Sequence, residues 1–290
     1  MGGKSAEREI SLKSGNAVLC ALKEEGVDAI PVEPGTNLIA NLLAQNIDRV
    51  FIALHGSSGE DGTIQGALEI AEIPYTGSGV LASAMGMDKA KSKLIWTSLG
   101  ISTPQFQLLT GDTDNESIIV EYPLAVKPVS EGSSLGIHKV NKKSELQASV
   151  QSARAYGETV LLEHWVEGAD YTVTVLNGRA LPAVRMNTRH EFFDFDAKYK
   201  DDATEYQCPC GLSTEQEREM AALSIDAFNT LECSGWGRVD LMRDAEGKCW
   251  VLEVNTVPGM TDHSLVPMAA AAAGLPYSKL VLEILATSFH

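Results

Sequence analysis

The stretch "WGRVDLMRDAEGKCWVLEVN", residues 236–255, limits the possible folds of this chain more than any other. Its two halves alternate apolar and polar residues about the polar turn "DAEGK", the pattern of two antiparallel strands closed by a tight connection. Residues two apart in a strand face the same side, so Arg238 and Asp240 share one face, as do Glu253 and Asn255 on the partner strand. Val239, Leu241, Val251, Leu252 and Val254 supply the apolar positions. Where the polar faces coincide, one cation, two carboxylates and an amide oxygen meet on a sheet backed by core. Hard oxygen ligands of this kind suit Mg²⁺, which takes one or two carboxylates plus substrate phosphates. A solvated face carrying surface ion pairs has the same pattern, and the hairpin alone leaves both readings open.

The rest of the chain reads as a mixed α/β protein without internal repeats. A helix is predicted from Ser5 as N-cap, with Glu7 and Glu9 at its positive end, a buried stripe at Val18, Ala21 and Leu22, and a stop at Gly26. "DAIPV" and "RVFIAL" read as short buried strands, the second running into the glycine-rich "HGSSGEDG" and a helix over 63–72. That strand, helix, strand rhythm implies parallel pairing with crossovers. One helix is predicted over 80–99, then strands "PLAVKP" and "LGIHKV", a helix over 142–156, and the strand "ETVLLEHWV". The character changes near residue 166, where "DYTVTVLNGRALPAVRM" is an antiparallel hairpin with Asn-Gly at its turn. Residues 187–209 are polar and aromatic without a clear period, the mark of a lid or binding loop. Helices are predicted over 214–231 and 277–286.

A net charge of −16 repels nucleic acid and anionic membranes and points to small-molecule or cationic partners. The longest weakly polar run, "LVPMAAAAAGLP", falls short of the roughly 20 apolar residues that span a bilayer. With no export pattern at the N-terminus, the expected location is the cytoplasm. Five scattered cysteines give no disulfide framework, and the lone "CPC" at 208–210 is a poor zinc signature.

"KPVSEGSSLG" is a glycine- and serine-rich turn whose backbone N–H groups, with Ser133 and Ser134, suit phosphates; an ordinary hairpin loop has the same composition. Lys89, Lys127 and Lys198 offer cations. Neither a G-x-x-x-x-G-K-[ST] loop nor a G-x-G-x-x-G opening a helix occurs.

Taken in order and spacing, "HGSSGEDG", "PYTGSG", "MDKAKSK", "VKPVSEGSSLGI", "AKY", "GWGRVDLM" and "LEVNTVPGMTDHSLVP" resemble the D-alanine:D-alanine ligases of the ATP-grasp superfamily, from Gly2 to about Leu285. The resemblance implies an ATP-grasp fold of α+β lobes: an N-terminal parallel α/β substrate domain (1–80), a central lobe (81–165) and a C-terminal lobe with the metal and substrate site (166–290). It implies that ATP phosphorylates the carboxylate of one D-alanine and that the amine of a second attacks the acyl phosphate. The alternatives are another ATP-grasp carboxylate-amine ligase, a D-alanine:D-lactate type, or a nucleotide binder without turnover.

By the same resemblance Asp240, Glu253 and Asn255 match ligands of two Mg²⁺ ions, with Mn²⁺ as a substitute. Lys89, Lys127 and Lys198 match phosphate-binding lysines, with Ser134 in the loop above them. Arg238 and the Gly259 N–H match groups that stabilise an oxyanion. Glu163, His164, Trp165 and Val166 match the adenine-contacting strand end, and Asp170 stands where the family usually has Glu for the ribose. Glu7 matches the carboxylate holding the first D-alanine's ammonium, with Ser133 and Tyr199 as its partners. His55 and Glu60 match residues near that substrate, and Ser264 and Leu265 the carboxylate site of the second. From the residues alone, Tyr199 also fits a packed loop aromatic, His55 a helix-cap partner and Ser264 a helix cap. "AKYKDD" favours an amine as second nucleophile over a hydroxyl, and the family suggests a homodimer.

In the family "GG-SAERE-S" follows a buried strand, so the N-terminal domain is expected to lack its first strand. The expected consequence is an unpaired place in that sheet and weaker anchoring of Glu7.

Overall fold

The computed structural model describes residues 1–111, 118–130, 136–187 and 204–289. Two antiparallel sheets form its body. The first has four strands: β1 (Phe106–Leu109), β2 (Leu124–Pro128), β3 (His138–Val140) and β4 (Val160–His164), in the order β1-β4-β2-β3. Helix α6 (Lys143–Arg154) packs Leu146 and Val150 against Leu124, Val126 and Leu162 beneath it. The second has six: β5 (Gly168–Leu176), β6 (Arg179–Ala180), β7 (Val184–Asn187), β8 (Glu205–Gln207), β9 (Trp236–Asp244) and β10 (Cys249–Asn255). Their order is β10-β9-β5-β7-β8, with β6 turned back on β5. Asn177 and Gly178 between β5 and β6 have φ of 50° and 72°, the positive pair that a tight hairpin turn demands.

Helix α7 (Thr214–Thr230) covers the second sheet, placing Met220 and Phe228 against Val173, Val239 and Leu241. Its start is a capping box in which the Ser213 hydroxyl accepts from the Gln216 N–H and the Gln216 side chain accepts from the Ser213 N–H. The single helix expected over 80–99 is two, α4 (Val80–Met87) and α5 (Lys89–Ser98). Asp88 is extended (φ −91°, ψ 96°), and its carboxylate accepts from the Lys91 N–H. An aspartate that caps a new helix competes with continuation of the old one, which apolar periodicity alone does not register.

Helix α1 (Arg8–Glu24) begins later than expected. Glu7 holds its cap position, while the Ser5 hydroxyl accepts from the Glu7 N–H and donates to the His55 carbonyl at 2.7 Å. Helices α2 (Leu38–Ala44) and α3 (Thr63–Ile70) follow. The strands expected at 28–32 and 49–54 are not formed as ladders; a single parallel bridge, Val50 to Tyr75, is their trace. Both segments line one cavity of about 530 Å³ together with Val18, Leu19 and Leu22. Each therefore borders open space where ladder hydrogen bonds need a neighbour about 5 Å away.

The C-terminal helices α8 (Leu265–Ala272) and α9 (Tyr277–Ala286) return to α1: Val281 and Ile284 share a core with Val18, Leu22 and Leu68. Residues near the two ends of the chain thus form one cluster. No single helix among the described residues is long and apolar enough to cross a membrane; α8 and α9 would qualify only as a pair bent by 106°, and both bury residues in that core.

Candidate active site

The β9–β10 register places Glu253 directly opposite Asp240 and Asn255 opposite Arg238, so the polar faces coincide. A bulge lies between Val251, which pairs with Leu241, and Glu253. One extra residue, Leu252, breaks the period of two. Val251 therefore points into the core, and Leu252 lines a pocket on the polar side rather than the core expected of it.

On this face the Arg238 guanidinium donates from Nε and Nη2 to the two Asp240 oxygens, both at 2.8 Å. Asp240 also accepts from Asn255 Nδ2 at 3.1 Å and from the Thr172 hydroxyl at 2.7 Å. Lys89 Nζ lies 3.0 Å from Glu253. Two carboxylates directly across a ladder, with an amide beside them, form a hard-oxygen donor set that could hold Mg²⁺. Close packing fixes the neighbouring backbone: a Cβ on Gly237 would stand 2.6 Å from the Phe228 ring and 2.9 Å from the Asn255 carbonyl oxygen.

The hairpin face separates two cavities. The first, about 320 Å³, lies between the sheets and is lined by Lys89, Lys127, Lys139, Glu163 to Gly168, Asp170, Met186, Asp240, Met242, Leu252 and Glu253. Apolar Met186, Met242 and Leu252 on one hand, and lysines on the other, suit a ligand with a flat apolar part and an anionic part. Glu163 is buried between Lys127, hydrogen-bonded to one carboxylate oxygen, and Lys93, 2.5 Å from the other. Burial pushes its pKa up, but the charges of Lys127 and Lys93 win, leaving it below the ordinary carboxylate value. Lys139 stacks over the Trp165 ring at 4.7 Å.

The second cavity, about 420 Å³, is lined by Glu7, Lys13, His55, Glu60, Tyr206, Arg238, Asn255, Gly259, Ser264 and Leu265 among others. Its floor is a hydrogen-bonded latch between chain ends. His55 Nδ1 meets the Val257 carbonyl at 2.8 Å, an acceptor only, so Nδ1 carries the proton. His55 Nε2 then accepts from the Ser14 hydroxyl at 3.0 Å, and Ser14 accepts from the Met260 N–H at 3.0 Å. Burial lowers the His55 pKa, in keeping with a neutral ring. Glu60 accepts from the N–H groups of Gly56 (2.7 Å) and Val257 (3.0 Å). Burial, then the Glu7 charge, raise its pKa to about 8 against the pull of those two donors. Glu7 is held close: a Cβ on Gly56 would be 2.6 Å from its carboxylate. Ser264 sits at the N-cap of α8, yet its hydroxyl turns to Thr261, accepting from that N–H at 2.9 Å, while Leu265 is buried in the core.

Among the described residues, the expected set falls around these adjoining cavities: Lys89, Lys127, Glu163, His164, Trp165, Val166, Asp170, Asp240 and Glu253 around the first, Glu7, His55, Glu60, Arg238, Asn255, Gly259, Ser264 and Leu265 around the second. Ser133, Ser134, Lys198 and Tyr199 lie outside the described residues. Sequence reading passed over Lys93, although its spacing of four from Lys89 in "KAKSK" puts the two on one helix face. It also passed over Leu252, Met242 and Met186, whose apolar character carried no local signal of a ligand wall.

Comparison with known proteins bears on the chain as a whole. Residues 95–286 match the family described as D-ala D-ala ligase C-terminus, and residues 33–78 match D-ala D-ala ligase N-terminus. The chain is 55% identical over 289 residues to a D-alanine--D-alanine ligase of Ectopseudomonas mendocina, covering 99% of this chain and 92% of that one. It is 52% identical to a D-alanine--D-alanine ligase of Methylococcus capsulatus, covering 100% and 94%. Among solved structures, a D-alanine--D-alanine ligase from Bacillus anthracis superposes with a TM-score of 0.89 at 38% identity, covering 99% and 95% of the two chains. A D-alanine--D-alanine ligase from Bacillus anthracis complexed with ATP gives 0.85 at 36% identity, again with 99% and 95% covered. With an ATP-grasp architecture, a carboxylate-lined hairpin between two pockets, and relatives above 50% identity along almost its whole length, the chain belongs to the D-alanine:D-alanine ligase family.

Proposed function

We infer that the chain joins two D-alanines into D-alanyl-D-alanine with ATP as co-substrate, releasing ADP and phosphate, in the synthesis of peptidoglycan precursor. The observation that carries this reading is the β9–β10 face, where Arg238, Asp240, Glu253 and Asn255 stand between a cavity suited to a nucleotide and a second, polar cavity.

The first cavity takes ATP, with its phosphates toward Lys89 and Lys127 and its base toward Glu163 to Val166. The second cavity takes the amino acids. Glu7 holds the ammonium of the first D-alanine, whose carboxylate points at Arg238. A carboxylate oxygen attacks the γ-phosphorus, the bridging P–O bond breaks, and ADP leaves. The amine of the second D-alanine, its own carboxylate at Ser264 and Leu265, then attacks the acyl carbon and gives up a proton. Arg238 and the Gly259 N–H steady the oxyanion, and its collapse expels phosphate. Asp240, Glu253 and Asn255 hold Mg²⁺, two ions being proposed and Mn²⁺ a substitute; when bound, the metal neutralises charge on the triphosphate. Tight latching by His55, Ser14 and Glu60 keeps the amino-acid pocket in register with the hairpin.

Phosphate release with ATP, Mg²⁺ and D-alanine, with product mass read in parallel, tests the reading. Phosphate together with a dipeptide mass is expected from D-alanine and not from L-alanine; intact ATP in the presence of D-alanine and Mg²⁺ would refute it. The expected location is the cytoplasm, where ATP is at hand. Exposed Ile70, Val80 and Leu81 on adjoining helices support a homodimer through the N-terminal lobe, which sedimentation checks.

A further inference from the structure

We propose that Lys93 is a positioning residue of the nucleotide pocket: from behind the pocket wall it holds the Glu163 carboxylate ionised and oriented, so that this carboxylate selects a base carrying an amino donor. The proposal rests on the reading of the pocket as an ATP site.

Glu163 is on β4, the strand paired on both sides in the first sheet, opposite Phe106 and Ala125. The ladders fix its backbone, so only its side-chain partners decide where the carboxylate points. Lys127 takes one oxygen and itself lines the cavity. Lys93 approaches the other oxygen to 2.5 Å from α5, its side chain wholly shielded from solvent. Its ammonium also donates to the Thr103 hydroxyl at 2.6 Å, and that hydroxyl donates to the Val251 carbonyl at 2.8 Å. Lys93 is therefore anchored to β10, the strand that carries Glu253 and Leu252.

The two lysines differ in what a ligand can do to them. Lys127 faces the cavity, so an anionic ligand can draw it away from Glu163. Lys93 is covered and tied, so it cannot be drawn away. Without Lys93, a carboxylate this deeply buried would be left unpaired whenever Lys127 turned to the ligand, and would take up a proton to avoid the cost. With Lys93 in place it remains an anion that only accepts hydrogen bonds. It then accepts from the 6-amino group of adenine and opposes the 6-oxo group of guanine. Because Lys93 neutralises Glu163, the charge of Lys127 is left for phosphate.

The test measures Kd for ATP and for purine riboside triphosphate, which lacks the 6-amino group, on the full chain without D-alanine. The unaltered chain should favour ATP by about tenfold to a hundredfold, as expected for one hydrogen bond to a charged group. Lys93→Met should weaken ATP and leave the analogue nearly unchanged, bringing the ratio to within about threefold by the same arithmetic. Thr103→Val, which keeps the charge and loosens the anchor, should give an intermediate ratio. An unaltered chain without preference for ATP, a Lys93→Met variant with the original ratio, or equal weakening of both nucleotides would each overturn the proposal. If Lys93→Met does not fold, Thr103→Val decides, and an unchanged ratio there overturns it. Failure of the ATP reading shows separately, as no binding of either nucleotide to the unaltered chain.

Discussion

The pocket proposed for the nucleotide takes its polar groups from strands and one helix face, whereas the pocket around His55 and Glu60 takes them from loops and backbone N–H groups. Around Glu163 and Asp240, charged side chains meet charged side chains, and ladder register sets their spacing. Around Glu60 and Ser14, side chains meet the backbone of distant loops, so that Gly56, Val257 and Met260 are gathered by two residues. One wall is spaced by the strand ladders that carry it. The other is a set of cross-links between chain ends, and each link removed should loosen amino-acid binding more than nucleotide binding.

The sharpest way to break this division is on the shared face. Glu253→Gln should lower kcat by roughly a thousandfold, since metal-held charge neutralisation supplies several kcal/mol, while metal-free ATP binding stays within a few fold. Steady-state phosphate release and calorimetry check the two halves. Arg238→Met should cost about a hundredfold to a thousandfold in kcat by removing an oxyanion donor.

Glu60→Gln addresses the loop-built wall. Because the Glu60 pKa is raised from 4.5 to about 8, its neutral form is favoured in the folded chain. The stability that preference supplies is complete below about 4.5 and is lost as pH climbs through about 8. The amide puts a donor against one of the two N–H groups, costing about 1–3 kcal/mol at pH 5. Melting curves of both proteins from pH 5 to 9 should show the gap narrowing as pH rises; a gap independent of pH would go against the assignment. Ser14→Ala should cost about 1–3 kcal/mol and raise the KM for D-alanine, with ATP Kd nearly unchanged. Equal changes in both constants would erase the contrast between the walls. The smallest effect belongs to Ser213→Ala, about 1 kcal/mol from the lost cap of α7, with both binding constants unmoved.

The same contrast explains what was legible in the sequence. That Arg238, Asp240, Glu253 and Asn255 share one face was legible because alternation along a strand is a short-range rule, and the motif resemblance added Lys89, Lys127 and Glu163, which line one cavity with Asp240 and Glu253. Helices over 214–231 and 277–286 were readable from period and caps. The break at Asp88 was not, because a cap within an apolar run leaves the period intact. Nor were Ser14 and Lys93: Ser14 acts on a residue 246 positions away, and a fully buried lysine contradicts the usual rule for charge. The strands at 28–32 and 49–54 failed because strand formation needs a neighbour that no local pattern supplies.

The bulge at Leu252 carries a consequence for chain length. Removing one residue from most strands turns every later side chain to the wrong face, but here the ladder already counts two residues against one. Deleting Leu252 would leave Val251 opposite Leu241, Glu253 opposite Asp240 and Val254 opposite Val239, a regular hairpin with all three pairings kept. The extra residue is therefore dispensable for the sheet; what it adds is one apolar side chain on the cavity between the sheets. A one-residue deletion, ordinarily the harshest change a strand can suffer, becomes here a way to reshape the ligand wall while sparing the scaffold.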